Sequence, residues 1–239
     1  MWASPSLDEV PAARPGSSVA ADGPASRPST RTIAGVRVPD TPLVSRALRY
    51  AGTHLEPYLF NHAVRSWLFA VLLGKQTGAP YDGEVLAVAT LLHDLGLAPA
   101  FDGPLRFEVE GANAARKFTR GQGVGEDRCR LVWDSIALSS TPSIGLYKEI
   151  EVALCVLGVG VDWGGWAHEA IPTESMHGIL QEFPRLGMKH YLAHAICRIA
   201  ERRPQATYDG HARDFGERFV PGYRAPSMVD ALFEAPFEE

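Results

Sequence analysis

The sequence has few cysteines, few lysines and no long apolar run, and each shortage excludes a class of protein. Its three cysteines stand singly in apolar stretches without a CxxC motif, which predicts reduced core residues in a cytoplasmic protein. Lysine occurs only four times and the net charge is −5, so the sequence lacks the basic surface that nucleic acid or an anionic membrane requires. No stretch reaches about 18 uninterrupted apolar residues, so we predict no transmembrane helix.

The remaining composition is that of an ordinary globular protein, with 46% hydrophobic and 21% charged residues over 239 positions. This length is sufficient for one large helical core. Residues 1–31 are rich in Ala, Pro, Ser and Gly and poor in large apolar side chains. Such a segment buries too little surface to offset its ordering entropy, so we predict a disordered leader followed by a single domain over residues 32–239.

The predicted domain over residues 32–239 begins with a short β-rich stretch, TIAGVRVPD. Apolar residues recur at helical spacing through most of the rest of it. The spacing predicts helices over 41–55, 57–76, 126–138 and 146–162, with further helices at EVLAVATLLHD and FEVEGANAARKF. Two more helices and a proline-rich, aromatic C-terminus are expected after residue 162. Gly158 and Gly160 weaken the 146–162 helix, so we expect them to permit close approach of a neighbouring backbone or of a metal site.

One of these helices ends in an adjacent histidine and aspartate, His93 and Asp94. Val85, Leu86 and Ala89 lie on the same apolar face as His93, so the imidazole and the carboxylate are delivered together to an interior wall. Burying both polar groups costs several kcal/mol unless a partner satisfies them, and a divalent cation is such a partner. A core histidine hydrogen-bonded to its neighbour is the alternative interpretation.

Two distant residues complete a pattern around this pair. His62 lies in the apolar helix YLFNHAVRSWLFAVLLG, and Asp162 ends the apolar run EVALCVLGVGVD. The resulting order, H…HD…D, resembles the HD-domain superfamily of metal-dependent enzymes. The stretches NHAVRSWLFA, LLHDLGL, RFEVEGANAARKF, WDSIALSSTPSI and ATYDGHARDFGERFVPGY are similar to its cyanamide-hydratase-like branch.

The resemblance implies an all-α HD-domain helical bundle with one metal held by His62, His93, Asp94 and Asp162. It also places FExxGA at Glu108, whose carboxylate, with that of Asp94, is a candidate for catalysis as a proton shuttle beside a metal-bound water. Complementing the helix dipole is the alternative role of Glu108. Relatives often carry a histidine where this sequence has Ser139, a departure that predicts an altered or inactive site.

Several other residues are assigned around the expected centre. Asp134 is predicted either to orient a ligand histidine from outside the ligand set or to bond a backbone amide in the next loop. The expected substrate pocket is apolar or aromatic and is formed by Trp67, Phe69, Phe107, Ser139 and Trp163.

The resemblance, together with the apolar pocket residues, implies a metal-dependent hydratase or hydrolase acting on a small, uncharged, nitrogenous substrate of cyanamide or nitrile type. Zinc is the expected metal, with iron and manganese as alternatives, because they suit mixed nitrogen and oxygen ligands. A nucleotide phosphohydrolase is the second hypothesis, with Arg65 and Arg106 as phosphate contacts, and a catalytically silent HD binding module is the third. Association into homo-oligomers is expected on general grounds alone.

Overall fold

A computed structural model describes residues 29–237 of the chain. Across these residues the fold is all-α apart from one two-stranded sheet, as the sequence predicted. Of the leader expected over residues 1–31, residues 1–28 lie outside the described residues. Thr30 and Arg31 already belong to the first strand, so regular structure begins two residues earlier than expected.

The β-rich stretch forms a tight hairpin. Strand β1, Thr30–Ile33, pairs antiparallel with β2, Val36–Pro39. The connecting residues Ala34 and Gly35 have φ values of 44° and 78°, and positive φ at both central positions is the geometry of a type I′ turn. The hairpin packs through the buried side chains of β2 against the helices that follow.

The helices of the described chain are connected by short loops and a few single 3-10 turns. They are α1 (Pro42–His54), α2 (Pro57–Thr77), α3 (Gly83–Leu92), α4 (Phe107–Gly121), α5 (Glu126–Ala137), α6 (Pro142–Gly145), α7 (Ile150–Gly164), α8 (Thr173–Glu182), α9 (Met188–Arg202), α10 (Ala212–Phe219) and α11 (Met228–Phe233).

Three predicted helices, α1, α2 and α5, have bounds within one residue of those observed, and proline marks the start of the first two. Pro42 and Pro57 occupy first-turn positions of α1 and α2, and the Thr41 side chain caps α1. Helix α7 begins four residues later than predicted because α6 forms a separate turn before it. The prediction of only two helices after residue 162 is wrong, since α8 to α11 all follow that residue.

Helices α2 and α7 cross closely at the centre of the core, and glycine allows this approach. A Cβ atom placed on Gly158 of α7 would lie 2.4 Å from the carbonyl oxygen of Ser66 in α2. Gly160 lies against the indole of Trp166 in the same way. The expected close approach of a neighbouring backbone is confirmed at Gly158, where the neighbour is the helix that carries His62, whereas Gly160 makes room for the side chain of Trp166.

Within residues 29–237, the length and apolar character needed to cross a membrane do not occur together in any helix.

Candidate metal centre

Two central helices bring His62, His93 and Asp94 together in the core. His62 lies in the second turn of α2, whereas His93 caps the C-terminus of α3 and Asp94 begins the turn after it. The three side chains are almost fully buried, with exposed fractions of 1%, 2% and 5%. Each offers one ligand atom, and these atoms lie within 4.8 Å of one another. We call this group the metal triad.

The spacing within the metal triad fits one small cation. His62 Nε2 lies 3.2 Å from His93 Nε2, and Asp94 Oδ2 lies 3.3 Å and 3.7 Å from the two nitrogens of His93 and His62 respectively. Ligand atoms at about 2.0–2.1 Å from a tetrahedral metal are separated by roughly 3.3–3.4 Å. Two of the three separations match this value closely and the third, between His62 and Asp94, is longer, so the three atoms are close enough to share one ion.

The tautomers of both histidines direct lone pairs into this space. His93 Nδ1 lies 2.8 Å from the carbonyl oxygen of Thr90, which only accepts, so Nδ1 carries the proton. His62 Nδ1 lies 2.6 Å from Asp162 Oδ2 and donates to that carboxylate. Both Nε2 atoms are then unprotonated and face each other at 3.2 Å, which cannot be a hydrogen bond between neutral rings.

The carboxylate of Asp94 adds a third acceptor to the two lone pairs. Its Oδ2 is buried and has no hydrogen-bond partner among the described residues. An unsatisfied buried carboxylate oxygen beside two lone pairs is costly, and a cation satisfies all three at once. Burial also lowers the pKa of His93, which keeps its imidazole neutral and able to coordinate a metal. The residues present therefore fit a divalent transition metal.

The sequence predicted Asp162 as a metal ligand, but here its carboxylate contacts the imidazole of His62 and lies outside the metal triad. Its Oδ2 accepts from His62 Nδ1, on the side of the imidazole opposite the metal triad. Arg65 donates to both oxygens at 2.7 Å, and Arg185 adds a contact of 3.1 Å. Because both carboxylate oxygens are engaged, this arrangement makes Asp162 a group that orients His62, and direct coordination by Asp162 stays a prediction.

The charge of Asp162 is set by these contacts. Burial opposes ionisation, but the hydrogen bonds from His62 and Arg65 more than offset it and hold the pKa of Asp162 well below its usual value. Arg65 is itself fully buried and uses Nη1 to bond the carbonyl of Phe183. Its guanidinium is therefore part of the support for His62 and is not presented to a ligand.

A cavity of about 790 Å³ opens onto the metal triad. Its walls combine aromatic rings with a run of hydroxyl-bearing residues from the loop around α6, and they include no lysine or arginine among the described residues. The lining comprises His62, His93, Asp94, Phe107, Ser139, Ser140, Thr141, Pro142, Ser143, Leu146, Tyr147, Val159, Gly160, Trp163, Trp166, Leu192, Ile196, Tyr208, Asp209, Gly210, His211 and Asp214.

Three of the five predicted pocket residues line this cavity, namely Phe107, Ser139 and Trp163. Trp67 and Phe69 do not, and both are fully buried in the core. Trp67 is five residues from His62, which turns it to another side of α2, and Phe69 lies about two turns further along the helix. Their assignment to the pocket is therefore corrected to core packing.

The other two assigned carboxylates lie outside the metal triad. Glu108 is buried and ionised, because bonds from Arg106 outweigh the effect of burial and lower its pKa. Ser140 also donates to it. Asp134 pairs with Lys148 at 2.8 Å instead of contacting a ligand histidine, so its predicted orienting role is not supported by its contacts.

Three features of the site were missed in the sequence. Arg65 lies one helical turn after His62, and this i, i+3 spacing was a signal that the two side chains could share a partner. The hydroxyl run continues from Ser139, which was predicted to line the pocket, through Ser140, Thr141 and Ser143, which were not. His211 was given no role, although it lies within ATYDGHARDFGERFVPGY, one of the stretches that carry the family resemblance, and that was the signal available for it.

The segment that carries the centre matches a known family. Residues 59–175 match the family model of the HD domain. This segment contains the metal triad and Asp162, so the match supports the HD superfamily, and the HD family consists mostly of metal-dependent hydrolases that bind divalent metals. No curated protein matches the chain. The resemblance to the cyanamide-hydratase-like branch stays a prediction.

Proposed function

We propose that this protein is a metal-dependent hydratase or hydrolase that adds water to an uncharged, nitrogenous substrate with a carbon–nitrogen multiple bond. The observation that carries the proposal is a buried metal triad that lines a cavity whose walls, as far as the structure describes the chain, carry no lysine or arginine. The HD match supports metal-dependent hydrolytic chemistry in general. The nitrile-like or cyanamide-like substrate is the further step.

The metal triad, with His62 oriented by Asp162, would hold the ion. A zinc ion bound there supplies a water of lowered pKa and polarises an acceptor atom of the substrate, and iron or manganese would serve similarly. The aromatic walls at Phe107 and Trp163 exclude bulk water around the substrate, which strengthens electrostatic interactions within the cavity.

The charge of the cavity argues against a phosphate ester as substrate. Phosphate recognition generally uses arginine or lysine, whereas the charged groups on these walls are the carboxylates of Asp94, Asp209 and Asp214. The two arginines considered as phosphate contacts are both engaged: Arg65 with Asp162, and Arg106 with Glu108 and Asp209. A polyanion entering the cavity would therefore meet repulsion from these carboxylates, and the bound metal ion would be its main positive partner on the described walls.

The size of the cavity refines the substrate class. Cavities of about 300–1,000 Å³ accommodate drug-sized ligands, and this one has a volume of about 790 Å³. Cyanamide has only three heavy atoms and would leave most of that space unfilled. We therefore expect the reacting group to be attached to an apolar or aromatic body that contacts Trp163 and Tyr208.

Nucleotide phosphohydrolysis remains the second candidate, because the HD family is mostly hydrolytic. A catalytically silent binding module is the third, and the sequence departure at Ser139 motivates it. Ser139 is buried at the cavity wall and donates to the carbonyl of Ile136, so it adds no ligand to the metal triad in this arrangement.

One set of assays separates the three functions. Metal-replete protein would be tested against cyanamide, aromatic nitriles and a panel of nucleotides, with metal content measured on the same sample. Turnover of nitriles or cyanamide supports the proposal, and turnover of nucleotides alone reverses the ranking. Less than about half a metal ion per chain, without turnover, would favour the silent module.

A further inference from the structure

A further histidine, His211, lines the cavity and comes from the part of the chain beyond the segment that matches the HD domain. His211 immediately precedes α10, lines the cavity that contains the metal triad, and packs edge-on against the rings of Phe107 and Trp163. The ring of Phe215 contacts it from a third side. Three aromatic neighbours at interplanar angles of 75–84° restrict the orientation of the imidazole.

One nitrogen of His211 faces a buried carboxylate. Nδ1 lies 3.8 Å from Glu108 Oε1, is inaccessible to solvent and has no hydrogen-bond partner among the described residues. The side chain as a whole is nevertheless 21% exposed. Its exposed part is therefore not Nδ1, so the ring meets the cavity through its other atoms, and among these Nε2 is the one that can accept a proton.

Glu108 is fixed as a negative charge behind this ring. Arg106 donates to both of its oxygens, at 2.9 Å and 3.3 Å, and Ser140 donates to Oε1. An ionised carboxylate near Nδ1 favours the tautomer with the proton on Nδ1, which leaves a lone pair on Nε2. It also stabilises the imidazolium that forms when Nε2 accepts a proton, as in other carboxylate–histidine pairs.

We propose that His211 is the group that moves the proton during the reaction, with Glu108 as its positioning residue. This inference rests on the proposed function and assigns Glu108 a different role from the direct proton shuttle expected from the sequence. Glu108 does not line the cavity, whereas His211 does.

The proposed step balances in atoms and electrons. A cavity water gives a proton to Nε2 as its oxygen bonds to the nitrile carbon, and one carbon–nitrogen π pair moves to the nitrogen. That nitrogen then takes the proton from Nε2, which regenerates the neutral ring, and the net change is the addition of one water. Burial lowers the pKa of His211, so the ring starts neutral and able to accept.

The groups that face His211 determine the pH dependence of this step. Glu108 and Asp94 favour its protonated form, Arg106 disfavours it, and Asp214 on α10 favours it. Removing the charge of Glu108 in E108Q should therefore lower the pKa of His211 further. The acid limb of the kcat profile should move to lower pH, whereas a purely structural role of His211 predicts no such shift.

The test compares H211N with H168N, which changes an exposed histidine outside the cavity wall. In protein that turns over nitriles, H211N should lower kcat by between about 100-fold and 10,000-fold, with unchanged metal content and melting temperature. H168N should match wild type. A kcat for H211N within threefold of wild type would overturn the inference while leaving the proposed function intact.

A second measurement is independent of the substrate. Nitrogen-15 chemical shifts of His211 at neutral pH should show the neutral tautomer with the proton on Nδ1, and E108Q should lose this preference. A charged ring, or the proton on Nε2 in wild type, would overturn the inference. Failure of wild type to turn over nitriles or cyanamide, by contrast, would overturn the proposed function and with it the step described above.

Discussion

His62 donates through Nδ1 to Asp162 at 2.6 Å, and this one bond fixes which nitrogen of His62 faces the metal triad. Because the carboxylate is ionised, the proton stays on Nδ1 and the lone pair stays on Nε2. The relationship joins α2 to the C-terminal turn of α7, the helix pair whose close approach depends on Gly158. We therefore expect core packing and metal affinity to be coupled.

The orienting role of Asp162 predicts a graded loss of metal affinity. D162N should keep the metal triad and weaken metal binding by about 10-fold to 100-fold, the range expected when the partner of a ligand histidine is changed. Direct coordination by Asp162 predicts a larger loss, comparable with that of D94A. Competition titrations with a chromophoric chelator on both variants would distinguish the two roles.

The same variant should lower the free energy of unfolding. Arg65 is fully buried and has its charge opposed by Asp162, so D162N leaves a buried guanidinium without its counter-charge. We expect a loss of about 3–5 kcal/mol in urea denaturation. The matched control is D134N, whose partner Lys148 is 33% exposed, and its expected cost is at most about 1 kcal/mol. Equal costs for the two variants would contradict the prediction.

Metal removal should destabilise wild type but not a variant without the metal triad. A ligand that binds only the folded state adds about 2.7 kcal/mol when its concentration is 100 times its Kd. A chelator should therefore lower the melting temperature of wild type and leave that of D94A unchanged. Identical melting curves for wild type with and without chelator, after metal-replete growth, would contradict a bound ion.

The sequence was sufficient for most helices before residue 162 and for the adjacent pair His93 and Asp94, because both depend on local patterns. Apolar periodicity located α2, and Pro57 in its first turn marked its start, so His62 could be assigned to a buried helix. The position of Asp162 behind His62 depends on how α7 crosses α2, which periodicity does not determine. Trp67 illustrates the same limit, since a large apolar side chain near a site residue fits core and cavity equally well.

Substitution of Gly158 tests the coupling between packing and metal binding. In G158A the new methyl group would meet the backbone of Ser66, one turn from His62, so α2 and α7 must separate. We expect a loss of about 1–3 kcal/mol in unfolding free energy and weaker metal binding. The control is G121A at the end of α4, where a Cβ meets nothing within 4 Å. A G158A variant with wild-type metal affinity would show that the two properties are independent.

The buried pair of Glu108 and Arg106 predicts an acid-dependent part of the stability. Its contacts hold the pKa of Glu108 below the ordinary value of 4.5, so the folded state favours the ionised form. This stabilisation is present above that value and is lost as the pH falls from 4.5 through the lower folded pKa.

E108Q lacks the charge at every pH. The difference in unfolding free energy between wild type and E108Q, measured in urea, should therefore be largest at pH 7 and shrink as the solution is acidified. A difference that stays constant from pH 7 to pH 3 would show that the ion pair does not contribute, and that any cost of E108Q comes from repacking.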